Sequence, residues 1–91
     1  MDGRKIILND GTVIEGGEAG YSQGFLWVWF TGYTLQQTAV IFFDTSKTSK
    51  IVFQYGEMES VYEGFTTVMS LGIDVDQRVS VCLTRGVSNN A

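Results

Sequence analysis

The stretch Phe25-Leu26-Trp27-Val28-Trp29-Phe30 decides how this chain folds. It lies between Gly24 and Thr31-Gly32, and its six consecutive apolar residues include four aromatic ones. A short run that is apolar throughout fits a strand covered on both faces, because a half-solvated strand alternates apolar with polar residues. In a strand, Phe25, Trp27 and Trp29 share one face and Leu26, Val28 and Phe30 the other. A small domain needs only one of these faces for its core. Either a helix covers the second face, or Trp27 and Trp29, with Tyr21 and Tyr33, form an exposed strip. Such a strip would bury against a copy of the chain or another protein, since Trp and Tyr are favoured interface anchors.

The cover is sought just downstream, in residues 34–43. Leu35, Thr38, Ala39 and Phe42 sit at helical spacing and would share one helical face. Thr34 is placed to act as N-cap, with Gln37 three residues on completing a capping box. β-Branched Val40 and Ile41 fit a strand over 39–43 nearly as well, so both alternatives stand. Asp44-Thr45-Ser46-Lys47-Thr48-Ser49 then reads as a polar connector.

Upstream, Ile6-Ile7-Leu8 and Thr12-Val13-Ile14 flank Asn9-Asp10-Gly11, and Asp-Gly supplies the positive φ angles of a tight hairpin turn. The reading is a hairpin of 4–8 with 12–18, followed by a bulge or loop at Gly16-Gly17-Glu18-Ala19-Gly20. From Lys50 onward everything reads as strand: 51–55, a turn near Gly56-Glu57, 58–63, 65–71, a turn at 74–77, and 78–84. In the last strand Val79, Val81 and Leu83 point one way and Arg78, Ser80, Cys82 and Thr84 the other. The expected fold is therefore α+β: a small, mostly antiparallel β domain of about seven short strands built from hairpins, with one short helix near 34–43. Residues 1–91 form a single domain, and 86–91 are expected to fray.

Composition supports one modest core and narrows the chemistry. The 91 residues are 44% hydrophobic and 18% charged, with no proline, and the formal net charge is −4. Surface scaling for this mass implies burial of about 64% of the extended chain's surface. The negative charge has the wrong sign for counterion release from a phosphate backbone, so nucleic acid is not the expected partner. The basic start is followed only by Ile6-Ile7-Leu8, far short of a signal peptide or a spanning helix, so no membrane partner is expected. The absence of histidine removes the commonest zinc ligand and the usual neutral-pH proton shuttle, and Cys82 stands alone. No metal, cofactor or catalytic residue is expected.

The remaining charged residues read as turns and surfaces. Asp74 and Asp76 fall where a hairpin must turn, and turns favour Asp for local hydrogen bonding. Glu57, Glu59 and Glu63 alternate along one face of the 51–63 hairpin around Val61. They are either a solvated face that keeps an edge soluble or an acidic contact patch for a basic partner. The glycine-rich stretch 11–24 lacks the phosphate-cradling motifs and reads as loop. Cys82 has no histidine to lower its pKa and reads as packed or partly exposed.

Residues 50–84, through Lys50-Ile51-Val52-Phe53-Gln54-Tyr55 and the signature Tyr62-Glu63-Gly64-Phe65-Thr66, resemble small proteins encoded by bacteriophages and prophages of Gram-positive gut bacteria. Ile6-Ile7-Leu8-Asn9-Asp10-Gly11 matches the start that these proteins share. The chain departs from the pattern at Gln36, Gln37 and Thr38, where a more acidic helix is expected, and at the unusually aromatic Trp27-Val28-Trp29. The resemblance implies a phage origin, no enzyme activity, and a gene lying among tail and baseplate genes. The expected function is that of a non-enzymatic protein-binding or assembly protein, a small tail- or baseplate-associated component. It would self-associate, contact phage structural proteins, and reside in the virion or the host bacterial cytoplasm. The candidate interaction surface is Trp27, Trp29, Tyr33, Glu57, Glu59 and Glu63. The alternative is an early inhibitor of a host defence system, either an anti-CRISPR-like protein that mimics phosphates or a signalling-nucleotide sponge. A sponge would need Arg4, Lys5, Arg78 or Arg85 brought to the aromatic strip.

Overall fold

Asp10-Gly11 makes the first reversal. Gly11 takes a φ of 93°, and the N–H of Thr12 donates to the Asp10 carboxylate at 3.0 Å. This pairs β1 (Arg4–Leu8) with β2 (Val13–Glu15). The computed structural model describes residues 3–86, so the expected fraying beyond residue 86 lies outside the described residues. The expected strand over 12–18 does not run through. At Gly16 the φ is 76°, and Gly17 packs so close to the first sheet that a Cβ there would stand 2.7 Å from Ile6 Cγ1. The chain crosses here to a second sheet and continues as β3 (Glu18–Ser22), where a bulge or loop was expected. Gln23 and Gly24, both at positive φ, then turn it into β4 (Phe25–Phe30).

The 34–43 ambiguity resolves as helix. α1 spans Leu35–Phe42; Thr34 Oγ1 accepts from the N–H of Gln37, and the Gln37 side chain accepts from the N–H of Thr34. Its buried face is Thr38 and Phe42, while Leu35 is 39% exposed, so the expected four-residue face is rotated toward its C-terminal half. Thr38 is buried at no polar cost, because its hydroxyl donates to the Thr34 carbonyl at 2.8 Å. The expected polar connector contains a second helix, α2 (Thr45–Thr48), capped by the Asp44 carboxylate on the N–H of Ser46.

β5 (Lys50–Tyr55), β6 (Met58–Glu63), β7 (Thr67–Ile73) and β8 (Val79–Thr84) complete the chain. The β7 start shifts from the expected 65 to 67. Gly64 takes a φ of 85° and donates to the Ser49 carbonyl, turning the chain so that Phe65 drops into the core before pairing begins. The result is α+β and mostly β: among the described residues, eight strands in two antiparallel four-stranded sheets, ordered β2-β1-β5-β6 and β3-β4-β8-β7, with two short helices.

The core lies between the sheets. Ile6, Leu8, Ile14 and Ile51 of the first meet Leu26, Val28, Phe30, Val79, Val81 and Leu83 of the second. Phe42 of α1 joins them, its ring 5.7 Å from that of Phe30 and nearly parallel to it. α1 thus packs on the core side of β4. The opposite side of that strand carries Trp27 and Trp29.

Candidate functional site

Strand register builds this surface residue by residue. On the outer side of β4, Phe25, Trp27 and Trp29 stand opposite Ser22, Gly20 and Glu18 of β3 and opposite Thr84, Cys82 and Ser80 of β8. The two indoles lie 6.4 Å apart with planes 9° from parallel. Trp29 leans over Gly20, where a Cβ would sit 3.6 Å from the far edge of its ring, in ordinary contact. Gly72 of β7, opposite Ser80, adds no side chain. The two indoles thus stand among small and polar neighbours, Gly20, Ser22, Ser80, Thr84, Gly72 and the Cys82 thiol, with Phe25 and Glu18 toward the ends of the face. Both are half-buried rather than fully exposed, sheltered by each other and by their neighbours on the sheet.

One end of the face is charged. The Arg78 guanidinium stands 5.4 Å over the Trp29 ring, and its Nη2 is 3.9 Å from the Glu18 carboxylate. Glu18 also pairs with Arg4 of the first sheet, whose guanidinium in turn lies 5.7 Å over Tyr55. Three residues remote in sequence thus form one network across the gap between the sheets. Spacing in the chain gives no hint of it, because it depends on the register of β3, β4 and β8.

The other expected surface residues fall elsewhere. Tyr33 lies on the core side of β4, edge-on to Phe30 at 5.2 Å, where it lines a shallow depression with Gln37, Val40 and Ile41. It is not part of the Trp27–Trp29 face. Tyr21 also turns away from the indoles, to Phe65 at 5.7 Å and Tyr62 at 6.5 Å. Glu59 and Glu63 are on the outer face of β6 in the first sheet, on either side of Val61. Glu57 is in the turn before that strand, not in its alternation. The aromatic and acidic residues therefore make two surfaces on different sheets.

Asp74 behaves as a turn residue: its carboxylate accepts from the N–H groups of Asp76 and Arg78 at 2.8 and 3.1 Å. Cys82 is 4% exposed, and burial raises its pKa, which keeps it a thiol. Among the described residues no three His, Cys, Asp or Glu side chains converge on a point that would hold a metal, and no helix is long and apolar enough to cross a membrane. What the aromatic face offers is contact area, namely the part of each indole that the sheet leaves uncovered. Comparison with known protein families, curated proteins and solved structures finds no match for this chain.

Proposed function

We propose that this is a non-enzymatic binding and assembly protein whose principal contact surface is the outer face of the second sheet. The observation that carries the reading is the near-parallel pair Trp27 and Trp29 on a side of β4 that α1 does not cover. Paired indoles among small residues suit burial against another protein, and Trp is enriched among interface anchors. Joined to the resemblance at residues 50–84, this favours a tail- or baseplate-associated phage component that also contacts copies of itself. Sedimentation equilibrium at high micromolar concentration tests the self-contact. The wild-type chain is expected to run above its 10.1 kDa monomer mass, and Trp27→Ser/Trp29→Ser to return to it. A monomeric wild type would remove self-association. Absence of the protein from purified virions by mass spectrometry would remove the structural role.

One contact favours a second reading, a sponge for a signalling nucleotide: Arg78 stands over Trp29, a cation beside a stacking surface. Glu18 shares that guanidinium, which weakens its pull on a phosphate. Isothermal titration with cyclic di- and oligonucleotides separates the two readings, since only the sponge predicts saturable binding that Arg78→Ala abolishes.

A further inference from the structure

We propose that the free edge of β6 is a docking site for an extended basic segment of a partner protein, which adds a fifth strand to the first sheet. β5 and β6 are joined by the turn Gly56-Glu57, with Tyr55 opposite Met58 and Gly56 at a φ of 63°. In such a two-residue hairpin the residues flanking the turn exchange both backbone hydrogen bonds, and the pattern then alternates. Met58, Ser60 and Tyr62 therefore direct their N–H and C=O groups to β5, while Glu59, Val61 and Glu63 direct theirs outward. Among the described residues the sheet ends at β6. Arg85 Nε donates to the Glu63 carbonyl at 3.2 Å and closes that end of the edge. Among the described residues, no hydrogen bond reaches the outward backbone groups of Glu59 and Val61.

The side chains of the same residues specify what fits there. Across the outer face of the first sheet, Val13, Ile7, Val52 and Val61 form one apolar row. Beside it runs Glu15, Lys5, Gln54 and Glu59, and on its other side Lys50 faces Glu63. Both charged rows stop at β6 on a carboxylate, and the apolar row stops on Val61, which is 50% exposed. A strand that continues all three rows has a basic residue opposite Glu59, a β-branched apolar residue opposite Val61, and a basic residue opposite Glu63. Opposite charges and apolar pairs directly across a ladder stabilise it, while like charges oppose it.

The same charges oppose pairing of β6 with β6 of a second copy in the register that matches Val61 to Val61. Antiparallel pairing of β6 with itself about Val61 would set Glu59 against Glu63 of the other copy on both sides of the centre. The edge resists its own kind, a common protection of exposed strands, and is complementary to a cationic one. The acidic edge and the Trp27–Trp29 face lie on different sheets, so this inference goes beyond the contact role proposed for the second sheet and either can fail alone.

The probe is a fluorescently labelled peptide, Gly-Thr-Lys-Thr-Val-Thr-Lys-Thr-Gly, titrated at low ionic strength and read by anisotropy. It is expected to bind at least about tenfold more tightly than its counterpart with Glu in place of both Lys. Glu59→Lys/Glu63→Lys is expected to invert that preference. N-Methylation of the peptide's central valine and both lysines, whose N–H groups face β6 when the peptide pairs antiparallel, keeps charge but removes ladder donors and is expected to abolish binding without any change to the protein. Hydrogen exchange should slow at the Glu59 and Val61 amides and not at Trp27. Failure of the basic peptide to bind, survival of binding after N-methylation, or an unaltered preference in the charge-reversed variant would each overturn the proposal.

Discussion

Phe42→Ala and Val40→Ala, two residues apart, test the reading of 34–43 with opposite expectations. On a strand, residues two apart share a face, and both truncations would cost or spare stability together. On α1 they diverge: Phe42 is 0% exposed and stacks on Phe30, whereas Val40 is 68% exposed. Truncating a fully buried Phe costs about 3–5 kcal/mol through lost transfer energy and the cavity left behind. A domain of this size has roughly 5–14 kcal/mol in total. With a urea m-value near ~1.5 kcal/mol/M, the midpoint falls by about 2–3 M. Val40→Ala loses little burial and gains about 0.5 kcal/mol of helix propensity, so its midpoint should stay within about 0.4 M of wild type. Urea titrations followed by far-ultraviolet circular dichroism measure both. Phe42→Leu, which leaves most of the side chain, keeps the comparison measurable if Phe42→Ala is too unstable to fold. Equal losses for Val40→Ala and Phe42→Ala would refute the placement of α1 on the core side of β4, and with it the argument that Trp27 and Trp29 are left uncovered.

The Asp10 carboxylate is held down to about 2 by hydrogen bonds from Thr12, chiefly its hydroxyl, and from Lys47 Nζ at 3.0 Å. A folded pKa below the unfolded value near 3.8 contributes stability above that value and loses it as the pH falls toward 2. Carbon-detected NMR titration should find the lowered value, Lys47→Met should raise it, and Asp10→Asn should flatten the acid limb of a stability profile between about pH 4 and 2. Thr48 is fully buried, and among the described residues its hydroxyl has no partner. Thr48→Val should therefore stabilise the protein by about 1 kcal/mol or more in chemical denaturation; a loss would reveal a hydrogen bond to the hydroxyl. Cys82, buried opposite Trp27 with its pKa raised, should react with Ellman's reagent only at the rate of unfolding. Rapid labelling of the native protein at neutral pH would contradict that burial.

Much of the fold was legible because its determinants are local. The Asp10-Gly11 and Gly56-Glu57 turns, the alternation of Val79 to Leu83, and the Thr34–Gln37 capping box each lie within a few residues of chain. Local chemistry was enough for them to form. The errors share a different cause. The crossing between sheets at Gly16-Gly17 depends on the close approach of Gly17 to Ile6, and the late start of β7 depends on a hydrogen bond from Gly64 to Ser49. α2 was read as connector because four residues carry too little periodicity to stand out from Ser and Thr composition. The candidate surface divided similarly. Grouping Trp27 with Trp29, or Glu59 with Glu63, needs only a period of two, whereas Tyr33 falls on the other side because the bend between β4 and α1 breaks that period.

By itself, the sequence determined that this is a small acidic β-rich domain, and where its hairpins turn. It also determined which side chains travel together on each strand, since backbone geometry sets those relations over two to four residues. Only the tertiary structure decided that α1 packs beside Phe30, on the side of β4 opposite Trp27 and Trp29. It also decided that Arg78, Glu18 and Arg4 meet at one end of that face, and that β6 ends its sheet with Glu59 and Val61 facing outward. Those relations depend on strand order and on which of two equally apolar faces the core takes up, and the core makes that choice by packing among residues that no local pattern connects.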